Sequence, residues 1–167
     1  VVIKSTVPIG TVDMIQNRLD GRTLGDIPPL VINPEFLREG QGLYDFFHPH
    51  RIVIGTDSDL ARAKMRELYA PFTSKSDQRS THMDMASEVP ILETSAVNAQ
   101  VIKYGSNAFL ATRVSFVNEL AGICEEAGAD IREVALGLGY DDRIGWNYMT
   151  AGVGFGGPCL EKDLKAL

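Results

Sequence analysis

Cys159 follows a glycine-rich run, Gly154-Phe155-Gly156-Gly157-Pro158, and precedes Glu161, Lys162 and Asp163. Glycine lets backbone approach a ligand closely, and a thiol near a cation ionises more readily and becomes a nucleophile. The plain alternative is a glycine turn ahead of a small core cysteine, because free cysteine packs as a hydrophobe. Lys103 and Asn107 stand four apart. On a helix that spacing puts them on one face, where an ammonium and an amide suit a developing oxyanion or a sugar hydroxyl. The alternative is a solvated polar stripe. Asn33-Pro34-Glu35-Phe36-Leu37-Arg38-Glu39-Gly40 follows a predicted strand, the place where open α/β sheets bind ligands. If this turn is helical, Glu35 and Glu39 share a face and one can move protons; otherwise the acidic residues simply suit a helix start. Lys4-Ser5-Thr6-Val7-Pro8 also follows a strand. Thr6 can offer its hydroxyl to a ligand or water, or the segment is only a turn ahead of Pro8.

These groups need positioning elements. Val1–Lys4, Leu30–Asn33, Arg51–Gly55 and Val89–Glu93 read as short buried strands. Between them lie helical segments, Thr11 to about Leu19 with Thr11 as cap, and Leu60 to Tyr69 capped by Asp57 or Ser58. Strands alternating with helices predict a parallel sheet with crossover helices. Phe72–Glu88 is polar and has no clear assignment. From Ser95 to Ala127 there is no proline, and Val97, Val101, Tyr104, Ala108, Ala111, Phe116, Leu120 and Ile123 recur at helical spacing. That predicts one helix of about 45 Å, stopped at Gly128. Asp130 and Glu133 form a capping box for a helix over Ile131–Leu138, and Gly139–Gly157 reads as loop. The predicted architecture is α/β over 1–94, followed by a long helix and an all-α part over 95–167.

The chain has 167 residues, 44% hydrophobic and 23% charged, with a formal net charge of −6. Its Lys and Arg residues are scattered, which argues against nucleic acid or an acidic membrane surface as partner. No apolar run approaches the ~20 residues of a membrane span. The two cysteines, Cys124 and Cys159, make neither a disulfide framework nor a metal site. They read as free thiols of a reducing cytoplasm. Both ends read as cut: the chain opens inside Val1-Val2-Ile3 and stops at Lys165-Ala166-Leu167.

Taken together and in order, K-S-T-x-P, N-P-E-F-L-x-E-G, K-Y-x-x-N and G-F-G-G-x-C-x-x-K-D are specific. They lie in Lys4–Thr11, Asn33–Gly55, Ile102–Glu126 and Asp142–Lys165. The chain resembles the UDP-glucose 6-dehydrogenase family within the UDP-glucose/GDP-mannose dehydrogenase group. The resemblance implies a Rossmann-like domain ending near Thr94, then a central helix and a helical dimerisation domain. It implies NAD as cofactor, a nucleotide-sugar substrate and a homodimer through the central helix.

It also implies roles. Cys159 is the nucleophile, which holds the C6 aldehyde as a thiohemiacetal and then a thioester between two hydride transfers. Lys103 stabilises the oxyanions at C6 and Asn107 positions that oxygen. Asp163 acts on the water as base or orienter. Thr6 and Glu39 border the reacting water and the nicotinamide, and Lys162 reaches the cofactor pyrophosphate. Glu35, Phe36, Leu37, Arg38 and Glu39 contribute to the substrate pocket. Tyr148-Met149-Thr150-Ala151-Gly152, with Gly156, lies along the sugar nucleotide.

Two departures stand out, since the family commonly has serine before the cysteine and proline two positions after it. Pro158 removes a backbone donor beside Cys159, and Glu161 adds a negative charge near the thiol. No G-x-G-x-x-G occurs in the chain, so these residues alone are expected not to turn over. Three rival readings follow. A two-electron β-hydroxyacid dehydrogenase has no use for a nucleophilic cysteine. The GDP-mannose or N-acetylhexosamine branch fits Asn107–Ala111 and Asp142–Gly145 less well. A non-catalytic helical dimerisation module does not explain the retention of Cys159, Lys103, Asn107 and Asp163.

Overall fold

A computed structural model describes residues 1–20, 28–73, 89–156 and 158–167, with the backbone alone at Asp20, Pro158 and Cys159. Most of the unassigned polar segment, residues 74–88, lies outside the described residues, as does Gly157. The chain divides into two compact units, Val1–Lys103 and Tyr104–Leu167.

The first unit holds β1 (Val2–Ile3), α1 (Thr11–Asp20), β2 (Val31–Ile32), α2 (Gly42–Phe47), β3 (Ile52–Gly55), α3 (Asp59–Thr73), β4 (Ile91–Thr94) and the opening turns of α4 (Ala96–Ala127). The strands form one sheet in the order β1-β2-β3-β4. Alternation along β2 and β3 sends side chains to both faces. Val31, Ile52 and Ile54 pack with Ala61 and Met65 of α3, whereas Ile32 and Val53 pack with Ala96 and Ala99 of α4. Val53 and Ile54 are fully buried, and each such side chain contributes about 1.5–3 kcal/mol.

The sheet is mixed where the sequence predicted parallel strands. β1 pairs with β2 and β3 with β4 in parallel, but β2 meets β3 antiparallel through Ile32 and Gly55. A parallel return needs a long crossover, usually a full helix. The segment between β2 and β3 carries only the six-residue α2, and the chain turns straight back. Thr11 is the first helical residue of α1, not its cap. Gly10 (φ +89) precedes it and accepts from Met14 N–H at 3.0 Å. Ser58 caps α3, its hydroxyl accepting from Ala61 N–H at 3.3 Å.

In the second unit, α4 buries Tyr104, Ala111, Val117 and Cys124, while Phe109, Phe116 and Ile123 face outward. The predicted apolar series on this helix thus divides between two faces. Gly128 (φ +71) ends α4 as expected. Asp130 caps α5 (Ile131–Gly139), accepting from Arg132 N–H at 2.8 Å. The loop that follows is pinned to α4 twice. Arg113 donates to the Gly145 carbonyl and Asn118 accepts from Gly152 N–H, both at 2.9 Å. The chain then enters α6 (Pro158–Ala166), a helix absent from the sequence reading. Pro158 is its first residue, where a missing N–H costs nothing.

Candidate functional site

In the first unit the chemistry gathers at Lys103. Its side chain is 7% exposed, and its ammonium lies 3.1 Å from Glu35 Oε1. Glu35 Oε2 accepts from Leu37 N–H at 2.7 Å. The segment 33–38 is neither helix nor strand, so the helical face predicted for Glu35 and Glu39 does not exist. Pro34 biases Asn33 away from helical backbone, and Asn33 is committed elsewhere. Its N–H donates to the Ile3 carbonyl at 2.9 Å and its Nδ2 to the Val53 carbonyl at 2.7 Å, while Oδ1 accepts from Lys4 Nζ at 2.8 Å and from the Tyr69 hydroxyl. Glu35 turns to Lys103, whereas Glu39 is exposed in a turn before Gly40.

Phe36 is half-buried against the Ile32–Val53 cluster. The Arg51 guanidinium lies 3.8 Å from the centroid of its ring and the Lys103 ammonium 5.4 Å from it. Burial pulls the Arg51 pKa down. Leu37 is exposed. Arg38 makes a double contact with Asp45, at 3.0 Å from Nε and 2.6 Å from Nη2, and its backbone N–H adds a third at 2.9 Å. The side-chain and backbone bonds from Arg38 hold the Asp45 carboxyl down at about 2. Thr6 is half-buried just beyond β1. The turn after it is clasped by Gln100, whose Nε2 donates to the carbonyls of Pro8 at 2.7 Å and Val7 at 3.3 Å.

In the second unit Asn107 and Asp163 are both buried, and Asn107 Nδ2 donates to Asp163 Oδ2 at 2.6 Å. Among the described residues, Asp163 Oδ1 has no hydrogen-bond partner. The Lys162 ammonium lies 3.1 Å from that oxygen without hydrogen-bond geometry, on a side chain 58% exposed. We read it as an ion pair and Oδ1 as open to a further donor. Tyr104 is buried beside this pair. Burial first, and then the Asp163 charge, push its phenol up. Cys159 lies in the first turn of α6, with its side chain outside the described residues. Glu161, the charged departure, pairs with Lys165 at 2.6 Å.

The strip along the predicted sugar nucleotide begins at Tyr148, which adopts left-handed backbone (φ +62). That conformation costs a bulky residue energy and marks a constrained turn. Met149 is buried, Ala151 half-buried, and Thr150, Gly152 and Gly156 exposed.

A buried ammonium can stabilise an oxyanion, and a buried carboxylate with a free lone pair can accept a proton or fix a water. No group of three His, Cys, Asp or Glu among the described residues could hold a metal. Toward a dinucleotide, the first unit offers by itself a hydroxyl beyond the carboxyl end of a parallel strand, Thr6. Arg51, Asp45, Gln100, Arg113 and Asn118 escaped the sequence reading. None lies in a motif, and each acts on a residue distant in the chain or on backbone.

Residues 97–167 match the UDP-glucose/GDP-mannose dehydrogenase family, central domain, and residues 1–73 match the NAD binding domain of the same family. UDP-glucose 6-dehydrogenase YwqF of Bacillus subtilis is 46% identical over 168 residues, covering 100% of this chain and 35% of that protein. The chain therefore spans about a third of the length of the curated relatives it matches. Among solved structures, a UDP-glucose dehydrogenase from the archaeon Pyrobaculum islandicum aligns with a TM-score of 0.84 at 38% identity, over 99% of this chain and 35% of that one. A GDP-mannose dehydrogenase from Pseudomonas aeruginosa aligns with a TM-score of 0.69 at 32% identity, over 99% of this chain and 36% of that one.

Proposed function

Because the chain belongs to the UDP-glucose/GDP-mannose dehydrogenase family, we propose that the full-length protein oxidises the C6 alcohol of UDP-glucose to a carboxylate with NAD, through a covalent bond to Cys159. The observation that carries the reading is Lys103, a buried ammonium held by Glu35 and Phe36 on the helix that also bears Asn107. The UDP-glucose branch is favoured by the higher identity and TM-score of its solved structure.

When bound, NAD supplies the hydride acceptor for both two-electron oxidations. Thr6 and Glu39 border the nicotinamide side, and Lys162 pairs with the pyrophosphate. Lys103 meets the C6 oxygen wherever it carries negative charge, and Asn107 positions it. The Cys159 thiolate forms a C–S bond to the C6 aldehyde, so the intermediate cannot escape. That adduct is oxidised to a thioester, and water then breaks the C–S bond and returns the thiol. Asp163 orients this water and takes its proton, a role supported by the free lone pairs of Oδ1. Glu35, Phe36, Leu37 and Arg38 bound the hexose, and the 148–152 strip lies along the nucleotide. The family domains divide at Thr94/Ser95, between β4 and α4, and the protein works as a homodimer of a reducing cytoplasm.

The test follows NADH release by the full-length protein with UDP-glucose, GDP-mannose and UDP-N-acetylmannosamine, beside Cys159→Ser. Two NADH per UDP-glucose, abolished by the substitution, is expected. Turnover with another sugar nucleotide alone moves the protein to a sister branch. One NADH per substrate, unaffected by losing Cys159, overturns the covalent mechanism.

A further inference from the structure

We propose that Arg51 is a positioning residue for Lys103 and acts through the ring of Phe36. The inference rests on reading Lys103 as the group that meets the C6 oxygen.

Lys103 has a long side chain with costly rotamer freedom to lose, and it comes from a helix whose backbone fixes only its root. Among the described residues its head meets the Glu35 carboxylate at 3.1 Å and the face of Phe36 at 5.4 Å from the centroid. Glu35 and Phe36 are consecutive, on a segment with no helix or strand hydrogen bonds of its own. Side chains must therefore hold that segment. Asn33 anchors its start on Ile3, Val53, Lys4 and Tyr69, and Arg38 anchors its end on Asp45. Phe36 lies between these anchors, half-buried against Ile32 and Val53.

Arg51 supplies a further contact on the ring. It directly precedes β3, so the sheet fixes its backbone, and its guanidinium is 3.8 Å from the ring centroid. A planar guanidinium both attracts the ring's quadrupole and covers it as a flat surface. One ring thus engages two cations, and Arg51 sets the ring on which Lys103 leans. An apolar side chain of similar length would cover the ring without the charge, whereas lysine would keep the charge.

The experiment uses the full-length protein and two readouts. The first is acetylation by acetic anhydride, followed peptide by peptide by mass spectrometry, with exposed Lys64 and Lys165 as internal references. Arg51→Met is expected to raise labelling of Lys103 about fivefold, the size a lost cation–π contact gives, and to leave the references unchanged. Arg51→Lys should restore most of the protection. In a Phe36→Leu background, Arg51→Met should add little further labelling. The second readout is NADH release with UDP-glucose, where Arg51→Met should lower kcat and leave KM within about twofold, an interaction made mainly in the transition state. If Arg51→Met does not fold, Arg51→Gln takes its place.

Unchanged Lys103 labelling in the charge-removing variant overturns the proposal, as does an undiminished effect in the Phe36→Leu background. Arg51→Lys behaving like Arg51→Met overturns the role of the charge. The parent reading fails separately, if Lys103→Ala leaves turnover intact, and the labelling result stands apart from that outcome.

Discussion

Asp45 and Asp163 are carboxylates with opposite uses. Asp45 is clasped on both oxygens, with Arg38 donating three hydrogen bonds to it. Its folded pKa, about 2, lies below the ordinary value of 3.8. A depressed carboxylate stabilises the fold above its unfolded pKa and loses that contribution as protons bind the folded form. The Arg38–Asp45 clasp should therefore hold at neutral pH and weaken between roughly pH 4 and pH 2. A carboxyl-resolved NMR titration is the check, with a midpoint near 2 expected and a return toward the ordinary value in Arg38→Met. An ordinary midpoint in the unsubstituted protein would refute the clasp. Asp163 is buried, and among the described residues one of its oxygens accepts no hydrogen bond. Asp163→Ala strands the Asn107 donor, at a cost of about 1–3 kcal/mol in denaturant unfolding. Asp163→Asn should keep most of that stability yet slow thioester hydrolysis about 100-fold or more. Intact-mass spectrometry after UDP-glucose and NAD would then show the substrate's mass retained on the protein. Free enzyme alone, with turnover unimpaired, would remove Asp163 from the hydrolytic step.

Among the elements, β3 and the start of α4 approach each other closely. A Cβ on Gly55 would stand 2.5 Å from Ala99 Cβ and 2.8 Å from the Ser95 carbonyl oxygen. Backbone and a short rigid side chain cannot swing aside, so Gly55→Ala must push α4 off the sheet. A cost of about 1–3 kcal/mol is expected, and turnover should fall with it because Lys103 rides on that helix. A melting temperature equal to the unsubstituted protein's would show that the helix yields freely. The same pair of elements explains what the sequence made legible. α4 was readable from thirty-odd residues without proline, and β3 from an unbroken apolar run beside a turn. The lysine and asparagine on α4 could be singled out because helical spacing is a local property. Short α2, with Leu43, Tyr44 and Phe47 exposed, offers no amphipathic period to detect. α6 was hidden because Pro158 looks like a breaker until it stands first in a helix. The antiparallel turn from β2 to β3, the Asn33 anchor and the Arg51–Phe36 contact are long-range, and local patterns do not encode them.

At the scale of the whole molecule, the open question is what covers the outer face of α4. Phe109, Phe116 and Ile123 stand seven apart, a spacing that keeps side chains on nearly one line of a helix. Each is more than half exposed, at 62%, 54% and 62%. Two large aromatics and an isoleucine in a row form an apolar surface of the kind that marks an interaction site. In the proposed homodimer a second copy would cover this surface, since an isologous contact lets the same stripe meet itself about a two-fold axis. Each phenylalanine so buried is worth roughly 1.5–3 kcal/mol, and every 1.4 kcal/mol is tenfold in affinity. Replacing Phe109 and Phe116 with glutamate should therefore raise the dimer dissociation constant by at least about 100-fold. Sedimentation of the full-length protein across a dilution series is the measurement, with dimer expected for the unsubstituted protein and monomer for the double variant at low micromolar concentration. A monomer without substitution, or a double variant of undiminished size, would free this face of α4 from the assembly. Dimerisation would also bear on chemistry, because the helix bearing Lys103 and Asn107 would be held from its outer face as well as its inner one. Loss of turnover in step with dissociation, recovered at high protein concentration, would show that the assembly supports the reactive helix.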